Sequence, residues 1–102
     1  MFLDKDKLDG KIAVITGGTR GIGLSIAHAF GEAGAKLVII NRTDPFGGIE
    51  ELKKANYEVS FYEGDLIDRS VPQKAIDHTL DKHGKIDILV NNAGVALHGD
   101  TE

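Results

Sequence analysis

Apolar positions fall into two patterns along this 102-residue chain. Ile12-Ala-Val-Ile15 and Leu37-Val-Ile-Ile40 are short continuous runs, and Ile86-Asp-Ile-Leu-Val90 is nearly so. Runs of this kind predict interior strands of a parallel sheet, covered on both faces. The first strand is read as Lys11 to Ile15 or Thr16, the second as Lys36 to Asn41 and the last as Ile86 to Val90. Val59, Ser60, Phe61 and Tyr62 alternate instead, so Glu58 to Gly64 predicts a less completely covered strand at the sheet edge.

Between the strands the apolar spacing changes to three and four, the period of an amphipathic helix. Ile22, Ile26, Ala29, Phe30 and Ala33 form one stripe on a helix predicted from Gly21 to Ala33 and ended by Gly34. Residues 42–48 are a polar connection, or else Pro45 opens a short helix running to about Asn56. Gly47 and Gly48 would fray its start, at about 1 kcal/mol each against alanine. Glu50, Glu51, Lys53 and Lys54 read as its solvated face. Asp68 or Ser70 caps a third helix reaching His83, with Pro72 in its first turn and Ala75, Ile76, Thr79 and Leu80 buried. The order β-α-β-α-β-α-β predicts an α/β fold in three layers, a partial Rossmann-like domain whose parallel sheet runs 3-2-1-4. Residues 1–10 would be a short arm, 11–94 the domain and 95–102 a tail.

One turn stands out for chemistry. In Thr16-Gly-Gly-Thr-Arg-Gly-Ile-Gly23, Gly17 bends the chain where the first strand ends. Gly21 lets the backbone approach a pyrophosphate, and Gly23 lets the helix lie close on the sheet. The helix N-terminus adds unpaired N–H groups and about half a positive charge. The spacing Gly-x-x-x-Gly-x-Gly is one residue longer than the dinucleotide fingerprint, and no Gly-Lys-Ser/Thr follows to make a P-loop. A glycine-rich turn without a ligand is the plain alternative.

Composition narrows the classes. A formal charge of -4 leaves no basic surface for nucleic acid. No cysteine is present, which removes disulfides and thiolate zinc sites and suits a reducing cytoplasm. Apolar runs are far shorter than the ~20 residues a membrane span needs, and the first ten residues do not read as a signal peptide. His28, His78, His83 and His98 show no metal-ligand spacing with a carboxylate, so no metal site is expected; His83 lies where a helix C-terminus favours positive charge.

The glycine turn together with Asn91-Asn-Ala-Gly94 resembles the short-chain dehydrogenase/reductase family, and Asp65-Leu66 is similar to that family's Asp-Leu or Asp-Val pair after the third strand. The resemblance covers residues 8 to 96. It implies an NAD(P)-binding unit of an oxidoreductase, with the pyrophosphate on the glycine turn and Thr16, Gly17, Thr19, Arg20, Gly21, Ile22 and Gly23 among the cofactor-binding residues. By the same resemblance Thr16 braces the turn, Asp65 accepts from the adenine amine and the Leu66 N–H meets an adenine nitrogen. Asn91, Asn92, Ala93 and Gly94 lie beneath the nicotinamide side. Without the resemblance, Asp65 reads as a solvated turn aspartate.

Cofactor choice turns on the end of the second strand. An acid there would bind the ribose hydroxyls and repel a 2′-phosphate. This chain has Asn41 and then Arg42, with Arg20 in the glycine turn aimed at the same region. Two guanidinium forks could clamp the extra phosphate, so NADP is expected over NAD, with NAD still possible. Otherwise Arg42 pairs with Asp44 or Glu63 on the surface, for ~0–1 kcal/mol.

In the family, hydride transfer between the nicotinamide and a carbonyl or alcohol substrate uses a tyrosine, a lysine, a serine and an asparagine that all follow the Asn-Asn-Ala-Gly segment. Tyr57 and Tyr62 precede it and have no lysine four residues on. No catalytic residue is therefore assigned, and the chain is expected to bind cofactor without turnover. An exposed edge on the fourth strand predicts self-association through it. The alternative is a folded module that acts only by assembling with itself or a partner.

Overall fold

A computed structural model describes residues 7–92; the first six residues of the arm and the segment 93–102 lie outside the described residues. The order is β1 (Ile12–Thr16), α1 (Gly21–Glu32), β2 (Lys36–Asn41), α2 (Gly48–Lys54), β3 (Val59–Glu63), α3 (Val71–His83) and β4 (Ile88–Asn91). All strand pairs are parallel, in the order β3-β2-β1-β4. The expected topology is the one observed.

The continuous apolar runs are explained by the two faces they serve. Ala13, Ile15, Leu37 and Ile39 point to one side, where Ala27 of α1 and Ile49 and Leu52 of α2 cover them. Ile12, Val14, Val38 and Ile40 point to the other, beneath Val71 and Ala75 of α3. Each large aliphatic chain so buried contributes about 1.5–3 kcal/mol. β3 divides as its alternation predicts, with Val59 and Phe61 on the first face and Tyr62 on the second.

Most of both predicted stripes faces the core: Ala33, Ala75 and Thr79 are buried and Ile26 and Phe30 pack against it, but Ile22 and Leu80 do not. The buried side of α1 is centred on Gly23 and Ala27, while Ile22 is 73% exposed. Hydrophobic periodicity gives a glycine no weight, yet it is Gly23 that sits against the sheet end and turns Ile22 outward. On α3 the buried row is Val71, Ala75 and Thr79, at strict four-residue spacing, and Leu80 is exposed. Thr79 is tolerated there because its hydroxyl donates to the Ala75 carbonyl at 2.8 Å.

α2 begins at Gly48, so Pro45 does not open it, and its start is held fast. Asp44 accepts the Gly48 and Ile49 N–H groups at 2.7 and 3.1 Å, satisfying two donors that a helix start leaves over. Gly48 is buried against the glycine turn rather than frayed. The exposed face of α2 carries its acids first and its lysines last, as the helix dipole favours.

β4 enters the sheet through a side chain. Asp87 donates its N–H to the Ile12 carbonyl at 2.9 Å, and its carboxylate accepts the Ile12 N–H at 2.8 Å. The strand ladder follows from Ile88, two residues later than the apolar run predicts.

Candidate functional site

The carboxyl ends of the four strands bring the predicted residues to one side of the sheet. Gly17 continues β1 and donates its N–H to the Ile40 carbonyl at 2.8 Å. Thr16 is buried, and its hydroxyl lies 3.3 Å from the Val90 carbonyl and 3.2 Å from Asn91 Oδ1, so β4 braces the turn from behind. Asn92 completes the brace by donating from Nδ2 to the Gly17 carbonyl at 3.2 Å.

Gly23 lies across that same carbonyl. A Cβ there would stand 2.1 Å from the Gly17 oxygen and 2.8 Å from Asn92 Nδ2, so only glycine fits. Gly21 is the opposite case. Its φ is +59°, and a Cβ would meet no protein atom within 4 Å, which leaves the outer face of the turn open for backbone approach.

The first hydrogen bond of α1 runs from the Leu24 N–H to the Arg20 carbonyl, leaving the N–H groups of Gly21, Ile22 and Gly23 outside the helical ladder. No side chain caps this end and no acid lies in its first turn. Its positive end is therefore uncompensated from α1 itself, as an anion site requires.

The loop after β2 is tied to the turn. Thr19 is 1% exposed, and its hydroxyl donates to the Thr43 carbonyl, which also accepts from Asn41 Nδ2 at 2.7 Å. Thr19 thus joins the two loops through its side chain. A Cβ on Gly48 would lie 2.2 Å from the Thr19 carbonyl oxygen, so the start of α2 packs directly on the turn. Arg20 stands over the Phe46 ring at 5.5 Å from its centroid.

Arg42 pairs with neither Asp44 nor Glu63. Its Nη1 lies 3.9 Å from Asp65 Oδ2, both side chains are solvated, and such a pair is worth ~0–1 kcal/mol. The other Asp65 oxygen accepts the Ile67 N–H at 3.0 Å, which fixes the carboxylate at the end of β3. Leu66 packs beneath it on the α3 side of the sheet. Ala93 and Gly94 lie outside the described residues.

Sequence reasoning missed Asp44, Phe46, Gly48 and Asp87. An aspartate four residues before a glycine that starts a helix was the available signal for the first and third. Tyr57 lies just before β3, at the amino end of the sheet and away from these groups. Burial, and then the Glu32 carboxylate, raise its pKa. His83 lies in the last turn of α3 as expected, and burial lowers its pKa. His28 bridges α1 and α2 through Glu51 at 2.5 Å. Among the described residues no group of side chains could hold a metal ion, and no helix is long and apolar enough to cross a membrane.

The family and the fold both have counterparts among known proteins. Residues 11–102 match the family described as short chain dehydrogenase. The chain is 42% identical over 89 residues to short-chain dehydrogenase reductase 5 of Arabidopsis thaliana, covering 87% of this chain and 34% of that protein. The solved citronellol catabolism dehydrogenase of Pseudomonas aeruginosa PAO1 superposes with a TM-score of 0.82 at 26% identity, over 88% of this chain and 38% of that one. The 3-oxoacyl-(acyl-carrier protein) reductase of Brucella melitensis, solved in complex with NAD, gives 0.72 at 39% identity, over 80% and 32%. The chain spans about a third of the length of these proteins.

Proposed function

This chain belongs to the short-chain dehydrogenase family, and we propose that it is the cofactor-binding part of an NADP-dependent oxidoreductase. The observation that carries the reading is the pair of glycines at the turn. Gly23 leaves room for the Gly17 carbonyl, and Gly21 leaves the outer face clear for a pyrophosphate. Uncompensated N–H groups of α1 would bind its oxygens. Asp65 and the Leu66 N–H would meet the adenine, while Asn91 to Gly94 would lie under the nicotinamide ring. That ring, when bound, supplies or accepts the hydride exchanged with a carbonyl or alcohol substrate in a complete enzyme.

Preference for NADP over NAD rests on charge at the end of β2. Asn41 carries no charge to repel a 2′-phosphate, and Arg42 is 72% exposed in a loose pair with Asp65. Arg20 supplies a second guanidinium from the turn. The Brucella reductase was solved with NAD, and the basic pair Arg20 and Arg42 is the reason for expecting a different choice here. Titration of NADPH and NADH into the folded chain by calorimetry tests this. Micromolar NADPH binding at least tenfold tighter than NADH supports the reading, and equal affinities reject the preference.

A second reading, a module that acts through assembly, draws on β4. Among the described residues β4 pairs with β1 alone, and Leu89 is 60% exposed on it. Self-association through this edge would cover both. A monodisperse monomer across a hundredfold concentration range would reject it. The cytoplasm is the compartment that the cysteine-free composition suits.

A further inference from the structure

Phe46 has no part in the core: it is 71% exposed on the loop between β2 and α2, with the Arg20 guanidinium 5.5 Å from its ring centroid. An exposed phenylalanine under a guanidinium needs a reason, and the loop that carries it is tied at both sides. Asp44 anchors one side of the loop to the first two N–H groups of α2. The Thr43 carbonyl ties its other side to Thr19 and Asn41, and Gly48 is seated on the Thr19 backbone. Residues 42–48 and the glycine turn are thus one braced unit, with Phe46 presented at a fixed place against Arg20.

Resting on the NADP reading above, we infer that Phe46 is a positioning residue for Arg20, and so a determinant of NADP selectivity. The aromatic face attracts the guanidinium and limits the rotamers of a long, solvated side chain. Arg20 then stays over the β2–α2 loop, and with Arg42 at the end of β2 a 2′-phosphate bound there would be met by two forks. Without the ring, Arg20 must give up more conformational freedom when the phosphate binds. The effect is confined to ligands that carry that phosphate, because a diphosphate on the turn needs no contact with the Arg20 side chain.

The test compares 2′,5′-ADP, NADPH and NADH binding to the full chain and to Phe46→Leu, Phe46→Trp, Arg20→Ala and the Arg20→Ala/Phe46→Leu double variant, with thermal unfolding of each. An exposed cation–π contact predicts a loss of about two- to fivefold in 2′,5′-ADP and NADPH affinity for Phe46→Leu. NADH should be unchanged, Phe46→Trp should restore affinity, and Phe46→Leu should add nothing once Arg20 is alanine. An equal loss for NADH would show the ring touching adenine directly and overturn the inference. So would a gain in NADPH affinity, which would mean that Phe46 holds Arg20 away from the phosphate. Failure of the unsubstituted chain to prefer NADPH would instead reject the underlying reading.

Discussion

Gly48, at the start of α2, and Thr19, in the glycine turn 29 positions earlier, approach so closely that a methyl group on the glycine would lie 2.2 Å from the Thr19 carbonyl oxygen. The contact makes the glycine turn and the start of α2 a single unit. Its consequence is mechanical: the groups expected at the pyrophosphate and those expected at the 2′-phosphate keep a fixed spacing.

Gly48→Ala should break that unit. The clash is with backbone, which cannot swing aside, so overpacking of about 1–3 kcal/mol is expected. Urea unfolding reads the loss, and NADPH titration should show weaker binding in the same variant. An unchanged midpoint with unchanged affinity would mean the glycine turn and the start of α2 move independently.

Two other glycines should separate stability from binding. Gly21→Ala places a side chain at φ +59° in open space, costing about 1–2 kcal/mol for the left-handed backbone and obstructing the face left for pyrophosphate. Gly23→Ala drives a methyl onto the Gly17 carbonyl, 2.1 Å away, and should cost more stability than Gly21→Ala while also abolishing binding. Paired melting and calorimetric curves check the order. Equal stability losses would argue against the close Gly17–Gly23 packing.

Asp87 should set part of the acid limb of stability. The Ile12 N–H chiefly, with Lys85 at 3.2 Å, holds its pKa below the ordinary carboxylate value. Its contribution is complete above the unfolded pKa of about 3.9 and is lost as pH falls through the lower folded pKa. Asp68, lowered by the Ser70 N–H and hydroxyl, acts in the same direction. Asp87→Asn should therefore shrink the acid-induced loss of stability without removing it, as followed by circular dichroism between pH 2 and 6. A curve identical to that of the unsubstituted chain would contradict the role.

Asn41→Asp should reverse cofactor choice. The new carboxylate can accept from the ribose hydroxyls and repels a 2′-phosphate. It also loses the Nδ2–H donated to Thr43 at 2.7 Å, so a small loss of stability accompanies the switch. Parallel NADPH and NADH titrations should show the ratio falling at least tenfold. An unaltered ratio would place the ribose elsewhere.

How far these features could be read beforehand depends on whether a side chain announced them. Ile12 to Ile15 and Leu37 to Ile40 are apolar at every position because both faces of the sheet are covered, so strand type and order follow from the pattern. Glycine is silent in such a pattern. The inward turn of Gly23, the exposure of Ile22 and the seating of Gly48 on Thr19 therefore appear only in three dimensions. Asp44 was hidden for a related reason. Its carboxylate caps a helix four residues away, across Pro45 and a left-handed Gly47, where no simple capping box is written. At the candidate site the motif residues were legible, but their ties were not: Asn92 to Gly17, Thr19 to Thr43 and Arg42 to Asp65 each cross between elements.

The most direct test of a cofactor site along these strand ends is a map of amide chemical shifts as NADP+ is titrated into the isotopically labelled chain. The account predicts the largest changes at Gly21, Ile22 and Gly23, at Arg42 and at Leu66, with Tyr57 and Glu58 at the far end of the sheet unmoved. Changes centred on Tyr57, or none at all in a well-dispersed spectrum, would contradict it.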